Sequence, residues 1–228
     1  MTEREKILGR IRVALKTPAP LPGSHGPSHA PASAQPPGST PKQWLPRVGE
    51  TMDEQLALFA KNAAELKADF QLLNSAEEAR QALGRLRDSA GWKQVASHSG
   101  CLTDSICPAL DLPLLRTDRA YDVHALEACD AGISECDALI AQTGTVLVTN
   151  RSAGGRVLSV LPPHHVVLAR KEQLVADLPA AFELLRKKYG DDFPSMISFI
   201  TGPSRTGDIE RILVLGAHGP KKLTIFCF

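Results

Sequence analysis

The sequence predicts an α/β domain built on a mainly parallel sheet, and three observations carry that prediction. Helical and strand patterns alternate along most of residues 47–228. The run "MISFIT", Met196–Thr201, is nearly continuous in apolar residues, as expected of a strand covered on both faces. Two strand-like runs meet at Thr143-Gly144, where glycine permits a tight hairpin and so some antiparallel pairing.

Taken in order, residues 3–16 predict a short amphipathic helix, with Ile7, Leu8, Ile11 and Leu15 on one stripe among basic residues. A helix this short is marginal alone. Its stripe is expected either to pack on its own domain or to dock a partner subunit. Residues 17–46 hold nine of the seventeen prolines, with Gly, Ser and Ala between them. Such a segment buries too little surface to offset its ordering entropy, so it is expected to be a flexible linker.

The globular part starts near Trp44. Leu56, Phe59, Ala63, Leu66 and Phe70 fall at helical spacing, so one helix is expected across "DEQLALFAKNAAELKADFQLL". Ser75 and Glu78 form a capping-box pattern opening a second helix that closes near Gly91. "KQVASH" and "LPLLRT" are short strands around a helical segment at 105–110. "HHVVLA" is a strand. "KEQLVADLPAAFELLRKKYG" predicts one long helix, kinked at Pro179 and capped by Gly190. "KKLTIFCF" is a terminal strand.

Composition bounds function. There are 26 basic and 25 acidic residues, a net charge of +1, so no electrostatic case exists for nucleic acid as the main partner. No apolar run is long enough to span a bilayer. The charged N-terminus does not resemble a secretory signal, and the five irregularly spaced cysteines read as free thiols, so a cytoplasmic location is expected. Without a Cys-x-x-Cys pair, neither an iron–sulfur nor a zinc thiolate site is expected in this chain.

Candidate chemistry gathers near the end. Gly202-Pro203-Ser204-Arg205-Thr206-Gly207 follows a strand; its glycines permit close backbone approach, Ser204 and Thr206 offer hydroxyls, and Arg205 suits a carboxylate or phosphate. Asp208 replaces the lysine of a phosphate loop, so nucleotide hydrolysis is not expected. The competing reading pairs Arg205 with Asp208 or Glu210 inside a structural loop. His218 and Gly219, in "GAHGP", are a ligand contact, a proton carrier or simply a turn. Thr143, Gly144 and Thr145 either join the same cleft or only turn the hairpin. Glu135 and Asp137 read as loop carboxylates. His164 and His165, adjacent in a strand, point to opposite faces and cannot easily share a metal.

The stretches 132–150, 159–169 and 198–223, with 4–15 and 44–70, resemble the lactate utilisation protein C family, which carries the LUD domain. Gly-Pro-Ser-Arg-Thr-x-Asp-Ile-Glu and Gly-x-His-Gly-Pro are the most specific motifs; alanine is common in the family where Gly207 stands here. The resemblance implies a three-layer Rossmann-like fold similar to the sugar-phosphate isomerase and CoA-transferase superfamily. It implies a part in oxidising L-lactate to pyruvate, beside partner proteins that carry the iron–sulfur clusters. On that basis the chain is expected to be a cluster-free subunit binding a small carboxylate or other anionic metabolite. The ligand contacts expected are Thr143, Gly144, Thr145, Gly202, Ser204, Arg205, Thr206, Asp208, Glu210, His218 and Gly219. The alternatives are a stand-alone enzyme handling acyl-CoA or phosphate esters, with Glu135 as the nucleophile the superfamily suggests, or a metabolite-sensing module. Glu135 and His218 are the candidate catalytic groups.

Overall fold

The computed structural model describes residues 3–14, 46–118, 120–206, 214–216 and 218–228. The chain divides into two units, 1–45 and 46–228. In the first, α1 (Glu3–Ala14) is the expected helix. Most of the expected linker lies outside the described residues.

In the second unit, α2 (Met52–Glu65) opens with a capping box: Thr51 Oγ1 accepts from the Glu54 N–H, and the Glu54 carboxylate accepts from the Thr51 N–H. The helix ends about two turns before the sequence pattern suggests. Lys67 adopts φ 66°, and the chain turns into a strand, β1 (Asp69–Leu72), so Phe70 belongs to the sheet and not to the helix stripe. It still packs edge-on to Phe59, ring centroids 4.9 Å apart, so the apolar spacing served a contact in either conformation.

Next come α3 (Ala76–Ala90), β2 (Val95–Ser97), α4 (Cys101–Ile106), a 3-10 turn at Cys107–Leu110, β3 (Leu114–Arg116), α5 (Val123–Glu127) and β4 (Ala131–Glu135). The Ser75 hydroxyl caps α3 as expected, while the Glu78 carboxylate reaches back to the Asn74 N–H. The hairpin strands are β5 (Ala138–Ile140) and β6 (Thr145–Thr149), followed by β7 (His164–Ala169). The expected long helix is a 3-10 turn (Lys171–Gln173), a two-residue strand β8 (Leu174–Val175) and α6 (Leu178–Tyr189). Pro179 starts α6 without kinking it: Asp177 caps the Ala180 N–H, and proline in a first turn forfeits no internal hydrogen bond. The remaining strands are β9 (Ile197–Ile200), β10 (Arg205–Thr206), β11 (Val214–Leu215) and β12 (Lys222–Cys227).

The main sheet has six strands in the order β1-β12-β7-β4-β2-β3, all parallel. A second sheet, β8-β5-β6-β9, contains the antiparallel hairpin. β9 is its edge strand and is only partly buried, so "MISFIT" is not covered on both faces. Alternation assigns the layers. Ile133, Val166, Leu168 and Phe226 face α3 and α4, while Val167, Leu223, Ile225 and Cys227 face α2 and the second sheet. The outer face of the second sheet, Ala138, Ile140 and Leu147, is covered by Ala181, Leu185 and Tyr189 of α6. The mainly parallel α/β sheet with a hairpin is as expected; the hairpin's place in a separate packed sheet is what the sequence did not show.

Among the described residues no helix is long and apolar enough to cross a membrane. The five cysteines are free, four buried and Cys101 exposed.

Candidate functional site

β7 and β12 run side by side, and their first residues set up the site. Pro162-Pro163 leads into β7, and the Pro163 carbonyl accepts from the N–H groups of Lys221 (2.8 Å) and Lys222 (3.3 Å). The Ser204 N–H donates to the Pro220 carbonyl (2.9 Å), and the Gly216 N–H donates to the Ser204 carbonyl (2.8 Å). Two pieces of chain with unusual turn chemistry are thus stitched together by backbone bonds. Their glycines are needed for that. Gly202 sits at φ 88°, and a Cβ there would come 2.7 Å from the Leu66 carbonyl oxygen. A Cβ on Gly219 would press on Ser204 at 3.2 Å.

Between the two segments lies a pocket of about 190 Å³. Ile200 to Ser204 form one wall, and His218, Gly219 and Pro220 the other. Ser159 completes the rim, and Leu223 and His165 lie at the bottom, 3% and 1% exposed. The volume corresponds to about six waters and falls below the range of drug-sized pockets, so it suits a small metabolite.

His165 is the chemically distinctive member. Its Nε2 lies 2.9 Å from Ser134 Oγ on β4, while its Nδ1 is buried without a hydrogen-bond partner. Burial, reinforced by neighbouring His164, pushes its pKa down to about 3, so the ring is neutral near pH 7. His164 faces the other way, as β alternation requires. Its Nε2 lies 2.9 Å from Thr224 Oγ1, its ring meets Trp92 edge-on at 5.3 Å, and burial pushes its pKa to about 4. It borders a second pocket of about 260 Å³ with Lys67, Lys221 and Lys222. Among the described residues no group of three or more His, Cys, Asp or Glu could hold a metal.

The other expected site residues separate into three groups. Gly202, Ser204, His218 and Gly219 line the pocket, with His218 exposed at its mouth. Arg205 and Thr206 form β10, paired with β11, and do not line it; Arg205 is exposed, its Nη2 on the Gly202 side of the loop. Asp208 and Glu210, like Gly207, fall outside the described residues. Thr143, Gly144 and Thr145 do not line the pocket either. Thr145 Oγ1 reaches Thr201 Oγ1 at 2.9 Å, which ties the hairpin to the pocket wall. Gly144 itself, at φ 62°, is pressed onto α2, and a Cβ there would come 2.7 Å from the Ala63 nitrogen.

Glu135 is not in a loop. It ends β4, where its Oε1 accepts from the Leu102 N–H (2.8 Å) and the Thr103 N–H (3.2 Å), capping α4. It pairs with Leu168, three residues along β7 from His165, and lies on the opposite face of the sheet, roughly 10 Å away along the strand. Asp137 is not solvated either; it is buried beneath α6.

Sequence reasoning missed His165 as a pocket residue. The available signal was alternation: it places Ser134 and His165 on one face of neighbouring strands, but only once β4 and its register are known.

A family model described as "LUD domain" matches residues 56–227. Lactate utilization protein C from Geobacillus kaustophilus is 29% identical over 211 residues, 83% of this chain and 84% of that protein. Lactate utilization protein C 1 from Bacillus mycoides is 36% identical over 105 residues, and Lactate utilization protein C from Anoxybacillus flavithermus 40% over 103. In these two the match spans less than half of the relative, 45% and 46%. The crystal structure of a DUF162 family protein from Deinococcus radiodurans superposes with a TM-score of 0.62 at 21% identity, covering 78% of this chain and 99% of that one, a likeness of fold.

Proposed function

Because the chain belongs to the LUD domain family, we propose that it is a component of a lactate utilisation system and binds a small anionic metabolite between Thr201–Ser204 and His218–Pro220. The observation that supports this most directly is the pocket itself. The two stitched segments enclose a metabolite-sized space with His165 at its base. Lys221 and Lys222, directly after Pro220, line the second pocket with His164 on the other face of the sheet. The named relatives supply the system in which such a site would work.

In this reading the chain supplies metabolite binding in the cytoplasm, and separate iron–sulfur proteins carry the electrons. The acyl-transfer alternative gains no support from the geometry, because the Glu135 carboxylate is engaged by the α4 backbone on the other face of the sheet.

Calorimetric titration of the full chain with L-lactate and with pyruvate tests the binding. A saturable isotherm for either, weakened by Gly202→Val, is expected; no heat with either acid up to tens of millimolar would remove the proposal. Growth of a deletion strain on L-lactate, and co-purification with a cluster-bearing protein, test the system. Unimpaired growth would detach this chain from lactate use.

A further inference from the structure

We propose that the second pocket, where β1, β7 and β12 begin, binds a phosphate group, either inorganic phosphate or the phosphate end of a small monoester. This site goes beyond the metabolite pocket and does not rest on it. β alternation separates the two: His165 borders the first pocket, while His164, Lys222 and Thr224 stand on the opposite face of the sheet, the one turned to α3.

Two segments bring three lysines to one opening. Lys67 sits in the turn between α2 and β1, and Lys221 and Lys222 lead into β12. Lys222 pairs with His164 across β12 and β7, and Thr224 pairs with Asp69 across β12 and β1. The register thus sets Asp69, Thr224, Lys222 and His164 side by side on one face. His164 and Thr224, 5% and 3% exposed, lie deep, with Nε2 and Oγ1 2.9 Å apart. Leu86, Ser89 and Ala90 at the end of α3 form a wall. Lys67 takes φ 66°, a left-handed backbone that glycine or asparagine usually supplies after a helix. A lysine there holds a charge at the rim that the turn itself does not need.

The end of α3 offers a rival use for these charges, since a helix C-terminus attracts cations. Its last carbonyls are already engaged, however. Leu86 O accepts from Ser89 Oγ (3.0 Å), Arg87 O from the Trp92 N–H (3.1 Å) and Asp88 O from the Gly91 N–H (3.3 Å). Asp69 is the carboxylate among the described lining residues, and it accepts from Gln71 Nε2 at 2.9 Å. A phosphate group fits this set of lysines better than a single carboxylate. It carries close to two negative charges near pH 7 and presents several acceptor oxygens, so it can meet three ammonium groups at once. The volume, about 260 Å³, is the share of about nine waters and holds a phosphoryl group with a few attached atoms. Burial, then the Lys222 charge, hold the His164 pKa down, so charge arriving beside Lys222 registers at that ring.

The test is calorimetric titration of the full chain with inorganic phosphate and, separately, with glycerol 3-phosphate, in a buffer free of other oxyanions. A saturable isotherm is expected with at least one, and the tighter of the two tells free ion from ester. Lys67→Gln and Lys222→Gln are each expected to weaken it about fivefold. Lys93→Gln, at an exposed lysine outside the pocket lining, is expected to leave it within twofold. In ¹⁵N-histidine-labelled protein, phosphate is expected to move the His164 ring resonances. No saturable heat with either probe up to tens of millimolar overturns the inference. So does an affinity that survives Lys67→Gln and Lys222→Gln combined, or equal weakening by Lys93→Gln, which marks diffuse attraction. Movement of the His165 resonances in place of those of His164 overturns it too, since phosphate would then occupy the first pocket. The titrations with L-lactate and pyruvate judge that first pocket separately.

Discussion

Tyr189 Oη donates to Asp137 Oδ1 across 2.6 Å, and Lys188 Nζ reaches the same oxygen at 2.6 Å. This fastens the last turn of α6 to the start of β5, and hence to the sheet whose edge strand ends at the pocket wall. The Asp137 side chain is fully buried, whereas Lys188 is about half exposed, so the tyrosine bond is the larger share. Tyr189→Phe should cost about 1–2 kcal/mol and Asp137→Ala about 2–3 kcal/mol, both read from urea denaturation. A loss below about 0.5 kcal/mol in each would show that the contact only accompanies the packing.

Acid should destabilise the protein in two windows. Burial holds His164 and His165 at about 4 and about 3, well below the ordinary histidine value. Between about pH 6.5 and 4 the unfolded chain therefore binds protons that the folded chain refuses. Stability should fall with falling pH by about 1.4 kcal/mol per unit for each ring. Burial opposes the charge on Asp137, but the bonds from Lys188 and Tyr189 outweigh it and hold its carboxyl below the usual range. Its contribution is present above the ordinary carboxylate value and is lost as pH falls through the depressed one. His165→Phe should roughly halve the slope in the upper window, leaving the His164 share, and Asp137→Asn should flatten the Asp137 share of the lower. Denaturant midpoints measured from pH 7 to 3 check both, and parallel curves for wild type and variants would contradict the assignment.

Gly144 should tolerate no side chain. Its positive φ and its contact with α2 predict that Gly144→Ala destabilises by more than about 1 kcal/mol. Asn62 Nδ2 donates to the carbonyls of Ala141 and Gln142, both at 2.9 Å, so Asn62→Ala should cost about 1–3 kcal/mol by leaving them unpaired. Thermal melts of the two variants decide this, and an unchanged midpoint for Gly144→Ala would mean the turn can move off the helix.

Glu135→Gln should lower stability by about 1 kcal/mol through weaker capping of α4 and leave metabolite affinity within twofold of wild type. Denaturation and calorimetry on the same sample separate the effects. A Glu135–CoA thioester, formed when an acyl-CoA gives up its acyl group as the free acid, would instead reinstate the acyl-transfer chemistry.

The parts of this fold legible from sequence were those whose local signals agree with their tertiary setting. Ser75 and Gly91 mark helix ends through their own side chain or backbone angle, and Gly144 marks a turn only glycine makes easily. β1 was hidden because Phe70 continues a helical spacing while packing on Phe59 from a strand. β4 reads Ala-Gly-Ile-Ser-Glu, small and polar residues with no strand signature, because Gly132 must pass close to the Leu158 carbonyl and Ser134 serves His165. Losing β4 concealed Glu135 as a helix cap and His165 as half of a pair. The Gly-Pro-Ser and His-Gly-Pro motifs did mark the pocket, since close backbone approach needs those residues. That Arg205 would leave the wall depended on its pairing across β10 and β11, which no local pattern encodes.

The central claim is that a small anionic metabolite occupies the space above His165. Imidazole nitrogen resonances of ¹⁵N-histidine-labelled protein, recorded as L-lactate is added, test it most directly. The account predicts that the His165 ring resonances move progressively to saturation while those of His124, exposed on α5 and outside the pocket lining, stay in place. Saturation by L-lactate with an unmoved His165 signal would contradict it.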